Sequence, residues 1–130
     1  MSNALDLDGK RYPRLTLHVS NPQQPDLAVD TQAYLDSGAE RSLFSGWIGV
    51  AIGIDVLSGR QLSYETTVGS HLTATVHPIR LSHPELGEFD LEAGFSSVEI
   101  KRNLLGRDFF NLIQIGFRER HLRFFITPTP

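Results

Sequence analysis

No cysteine occurs in these 130 residues, which rules out a disulfide framework, a thiolate nucleophile and a zinc site built on thiolates. The absence fits a reducing compartment. Charge of one sign is scarce as well: twelve Lys and Arg stand against fifteen Asp and Glu, for a formal net charge of -3, and the basic residues are scattered. Without a basic field there is no grip on phosphate, so nucleic acid is not expected as a direct ligand. Long apolar runs are missing too. The longest, Trp47 to Ile54, is broken by Gly49 and Gly53 and falls far short of the roughly 20 residues that a spanning helix needs. The opening Met1-Ser2-Asn3-Ala4-Leu5-Asp6-Leu7-Asp8 has neither the basic start nor the apolar centre of a secretory signal. A soluble, cytoplasmic protein with no membrane partner is expected.

What is present is enough apolar material, 40% of the chain, to bury a core without staples, and a length suited to a single domain over residues 1–130. Leu15, Leu17 and Val19 alternate with polar residues, as do Leu27, Val29, Ala33 and Leu35 beyond the turn-forming Asn21-Pro22-Gln23-Gln24-Pro25, which is the period of half-buried strands. Ser42 to Ile52 has mixed apolar spacing and predicts a short helix, and Ser58-Gly59 marks a turn. Gln61 to Val68 and Leu72 to Leu81 flank Gly69-Ser70 as the arms of a hairpin. Glu88 to Phe95 adds a strand, and Asn103 to Gly106 is short and apolar. Arg107 to Gln114 places Phe109, Phe110 and Ile113 on one helical face. Leu122, Phe124 and Ile126 alternate in a last strand. Many short strands with one or two short helices predict a mainly β barrel or sandwich.

Asp36 leaves the apolar strand Ala33-Tyr34-Leu35 and enters Ser37-Gly38-Ala39. Glycine permits a sharp turn and close backbone approach, and the small Ser37 hydroxyl can brace the loop, so this carboxylate is well placed for a positioned acid. One carboxylate cannot act at once as base toward water and acid toward a carbonyl. No second Asp-Ser/Thr-Gly triplet occurs: Asp30-Thr31 is followed by Gln32, and Asp55 and Asp108 lie in unlike surroundings. A twin must come from another chain, which a two-fold axis supplies by setting Asp36 against Asp36.

The run Tyr34-Leu35-Asp36-Ser37-Gly38-Ala39 resembles the catalytic loop of the retropepsin-like aspartic proteases. Downstream, Asn103-Leu104-Leu105-Gly106-Arg107-Asp108-Phe109-Phe110 is similar to that family's second signature, and Ile113-Gln114-Ile115-Gly116-Phe117 follows it. The resemblance implies a small closed β barrel of the retropepsin type, active as a homodimer on peptide or protein substrates, with no cofactor and no metal. It also implies that the two Asp36 carboxylates would share one proton, because like charges about 3 Å apart cannot both ionise. It further implies that Ser37 bonds across the dimer and that Gly38 presents backbone to substrate. Arg107 would form a structural ion pair with Glu40, or Arg41 with Asp108, a choice that spacing leaves open. Thr67, Val68, Gly69 and Ser70 would form the substrate-binding flap. That segment has a single glycine where viral relatives have several, so a rival reading keeps the fold as a non-catalytic dimerisation or peptide-binding module.

Other candidates lead less far. Taken alone, Asp-Ser-Gly is a common turn cap, and with Ser42 it faintly resembles a phosphorylation-dependent degradation signal, a kind found in disordered segments. His71 and His77 share strand parity, yet His18, His83 and His121 supply no third metal ligand at suitable spacing. Ser42 has no histidine near it in sequence for a hydrolase triad. Phe109, Phe110, Phe124 and Phe125 suit core and dimer packing. Gly46, Gly49 and Gly53 lack the lysine and spacing of a phosphate loop.

Overall fold

Strand β2 (Pro13–Asn21) shows why alternation makes sheet here: Leu15, Leu17 and Val19 are buried while Thr16 and His18 between them are exposed. A computed structural model describes residues 6–7, 13–65 and 71–113 of the chain. Beside the short β1 (Asp6–Leu7), the chain forms β3 (Gln24–Leu35), β4 (Leu43–Ser45), β5 (Arg60–Glu65), β6 (His71–His83), β7 (Gly87–Ser96) and β8 (Asn103–Leu105). A short helix α1 (Gly46–Ala51) follows β4, and residues 107–113 are helical.

The strands are ordered β1-β2-β3-β8-β4-β7-β6-β5, and an additional β2–β6 pairing bends the sheet back on itself. β2 lies antiparallel to β3, with Val19 opposite Val29 and Leu15 opposite Ala33, and also meets β6, with Val19 opposite Leu81. Strands β2, β3, β8, β4, β7 and β6 thereby form a ring, and only closure of this kind removes the exposed edges of a sheet. Inside it sit Leu15, Leu17, Val19, Phe44, Ile79, Leu81, Phe95, Leu105 and Phe109. Each such side chain contributes about 1.5–3 kcal/mol on leaving water.

The predicted strands over Leu15 to Leu35 and Glu88 to Phe95 are present, as are the hairpin arms within Arg60–Glu65 and His71–His83; the rest of the predicted first arm and the turn at Gly69-Ser70 lie outside the described residues. One expectation needs correction. Ser42 to Ile52 is not helical throughout: Leu43–Ser45 is strand β4, and only Gly46–Ala51 is helix. β4 runs parallel to β7 and touches β8 on its other edge, so Leu43 and Phe44 are both buried and the two-residue alternation is lost. The last strand predicted around Leu122 to Ile126 lies outside the described residues. Among the described residues, no helix is long and apolar enough to cross a membrane.

Candidate active site

β3 delivers Asp36 to the end of the ring. Its parallel ladder with β8 pairs Leu35 with Leu105, and the next amide, that of Asp36, donates to the Leu105 carbonyl at 2.9 Å. The chain then turns on the aspartate itself. Gly38 N–H donates to Asp36 Oδ1 at 2.9 Å, and Ala39 N–H donates to the Asp36 carbonyl at 3.1 Å. This is an Asx turn, in which the side chain stands in for backbone. It holds one carboxylate oxygen and leaves Oδ2 without a hydrogen bond among the described residues. Asp36 is half-buried, Ser37, Gly38 and Glu40 are exposed, and Ala39 is half-buried.

Beneath the loop lies the segment that follows β8. Arg107 N–H donates to the Ala39 carbonyl at 2.8 Å. A side chain on Gly106 would place its Cβ 2.7 Å from that same carbonyl oxygen and 2.9 Å from the Arg41 carbonyl carbon, so close approach demands glycine here. Ser42, fully buried, donates its N–H to Asp108 Oδ1 at 3.0 Å and Oδ2 at 3.1 Å, and its hydroxyl to Oδ1 at 2.8 Å. The Ser42 hydroxyl oxygen accepts from Gly106 N–H at 3.0 Å. Asn103 ties three strands: its amide donates to Thr31 Oγ1 at 3.2 Å and the Gln32 carbonyl at 2.9 Å, and its Oδ1 accepts Ser45 N–H at 2.9 Å.

The two segments similar to family signatures are thus brought together, but not by the ion pairs anticipated. Neither Arg107 with Glu40 nor Arg41 with Asp108 is paired among the described residues. Arg107 and Glu40 are exposed, Arg41 Nη1 donates to the Glu92 carbonyl at 3.0 Å, and Asp108 is taken by Ser42. A half-buried carboxylate that accepts both the amide and the hydroxyl of a buried serine needs no arginine, because charge-assisted hydrogen bonds to the negative charge already hold it.

No family model and no curated protein matches the chain. Solved structures do. EIAV protease, complexed with an inhibitor, superposes with a TM-score of 0.59 at 12% identity, covering 84% of this chain and 94% of that one. A retropepsin-like aspartic protease from Rickettsia conorii gives 0.56 at 14% identity, covering 78% and 72%. The fold is of the retropepsin type.

In this retropepsin fold the hairpin β5–β6 is built from Arg60–Glu65 and His71–His83, with Tyr64 opposite Leu72. The expected flap residues Thr67, Val68, Gly69 and Ser70 lie outside the described residues. Three residues in and around the site carry contacts that the sequence did not disclose: Ser42, Asn103 and Tyr64. The Tyr64 hydroxyl donates to the Ser42 carbonyl at 3.2 Å. Burial pushes its phenol up from 10.0 to about 12, with Arg41 pulling the other way. Ser42 follows Asp36 by six positions and Asp108 follows Gly106 by two, so only the fold joins them.

Proposed function

We propose that the protein is an aspartic endopeptidase that works as a homodimer, with Asp36 of each subunit contributing one carboxylate to a shared pair. The observation that carries this reading is the Asp36 carboxylate itself. It is fixed by Gly38 N–H through one oxygen, stands at the end of β3, and is clamped from below by the Gly106–Asp108 segment, all on a retropepsin fold. A single chain supplies one such group. Two of them across a two-fold axis would hold one proton between them.

In that pair the ionised carboxylate draws a proton from a bridging water as the water attacks the peptide carbonyl carbon. The protonated carboxylate donates to the carbonyl oxygen, and the tetrahedral intermediate then collapses with proton return to the leaving amine. Gly38 and Ser37 would lie beside the substrate backbone and the subunit contact, and residues 67–70 would close over an extended peptide bound as a strand. No cofactor, metal or nucleic acid enters this scheme, and a cysteine-free chain accords with work in the cytoplasm.

Asp36→Asn tests it. The variant should lose peptide cleavage by at least about a thousandfold, the range seen when a reacting group is removed, while its dimer and its melting temperature stay near wild type. Full activity in Asp36→Asn would overturn the proposal.

A further inference from the structure

Tyr34 and Asp36 share the outer side of β3. Ala33 is in the core and Leu35 packs against it, so Tyr34 between them is turned away from the core, half-buried. The Asp36 amide still bonds to the Leu105 carbonyl. That bond carries the same alternation one residue past the strand and sets Asp36 on the side of Tyr34, about 6.6 Å further along. β8 repeats the pattern: Asn103 and Leu105 are buried, while Leu104, which stands beside Tyr34 in the parallel ladder, is half-buried. Tyr34 and Leu104 thus form a partly covered apolar floor immediately before the carboxylate.

A cation is fixed over this floor. The Arg102 guanidinium carbon lies 4.5 Å from the centre of the Tyr34 ring, within range for cation–π attraction. The next residue, Asn103, is bonded to Thr31, Gln32 and Ser45, so the backbone that carries Arg102 is held against β3 and β4. A guanidinium stacked by its face directs its N–H groups outward around its edge, in the plane that matches a carboxylate. Arg14 stands opposite Tyr34 across the β2–β3 ladder and adds a second positive charge on the same face.

We propose that Arg102 determines specificity: with Tyr34 and Leu104 it receives the Asp or Glu side chain of a substrate residue next to the bond that Asp36 cuts. This rests on the endopeptidase reading for the cut, though not for the binding of an acidic side chain. A glutamate side chain reaching sideways from a carbonyl held at Asp36 covers a distance comparable to the step from Asp36 to Tyr34. Its methylenes lie on Tyr34 and Leu104, and its carboxylate meets the edge of the guanidinium. A two-fold axis repeats the pocket on the other side of the scissile bond.

The test gives random octapeptides to wild type, Arg102→Gln and Arg102→Glu and sequences the cut products by mass spectrometry. The same peptides are captured on immobilised Asp36→Asn protein, with and without each Arg102 change, so that retention is read without cleavage. Wild type should favour Asp and Glu over Asn and Gln beside the cut bond by about tenfold, the lower end of what a hydrogen bond to a charged group is worth. The preference should shrink as salt rises. Arg102→Gln should abolish it, and Arg102→Glu should turn it toward Lys and Arg, a reversal that lost packing alone does not produce. Cuts without acidic preference in wild type, or a preference that Arg102→Glu leaves unchanged, would contradict the proposal. If wild type cuts no peptide, the endopeptidase reading fails. Retention on the Asp36→Asn protein then decides the pocket: enrichment of acidic peptides that Arg102→Glu reverses supports it, and retention indifferent to charge refutes it.

Discussion

Asp108 shows how much a single side chain holds in this protein. Its carboxylate accepts the Ser42 amide and the Ser42 hydroxyl, both belonging to a residue with no exposure to solvent. Asp108→Ala strands two buried donors, each costing about 1–3 kcal/mol. A loss of roughly 3 kcal/mol in denaturant unfolding is expected, and Asp108→Asn, which keeps one acceptor oxygen, should lose less than half of that. Tyr64 makes the corresponding prediction for pH. Its phenol ionises at about 12 in the folded protein against 10.0 when solvated. Between those values the unfolded chain binds fewer protons, so stability is fully present below pH 10 and falls as pH rises toward 12. Tyr64→Phe should remove that segment of the stability curve, as measured by urea unfolding across the alkaline range.

At the scale of elements, the join between β3 and β8 positions the site. Two chain segments that lie far apart in sequence run parallel there, and the backbone leaving each is locked to the other through Asp36 N–H to Leu105 and Arg107 N–H to Ala39. Gly106 is where they come closest. Gly106→Ala would drive a Cβ into the Ala39 carbonyl, so backbone must move at a cost of about 1–3 kcal/mol, as in other overpacked sites. The loop that carries Asp36 would move with it, and peptidase activity should fall further than the stability change alone explains. β2, β3 and β7 were legible from sequence because each has a core face and a polar face. β4 was not, since burial on both sides erases the alternation that distinguishes strand from helix in Leu43 to Ser45. The Asp36 loop was legible as a turn from Gly38, whereas Ser42 with Asp108 was not: 66 residues separate them, and the sequence offered arginines as more obvious partners for the carboxylate. Tyr64 carried no signal at all, since a tyrosine in a strand is ordinary and its partner is a backbone carbonyl.

At the scale of the whole molecule, one chain holds one Asp-Ser-Gly loop, and the chemistry proposed needs two. On the proposed scheme the second carboxylate would come from a second copy of the chain. The proposed activity would then require the assembly, and it should be favoured at mildly acidic pH, where such a pair would hold a single proton. The most direct measurement is cleavage rate at a fixed wild-type concentration as Asp36→Asn chains are added and allowed to exchange. If the two Asp36 residues act as one pair, an equal amount of the variant sequesters wild-type chains in mixed dimers and reduces activity to about half. A rate that stays constant as the variant is added would contradict the shared pair and with it the account given of this site.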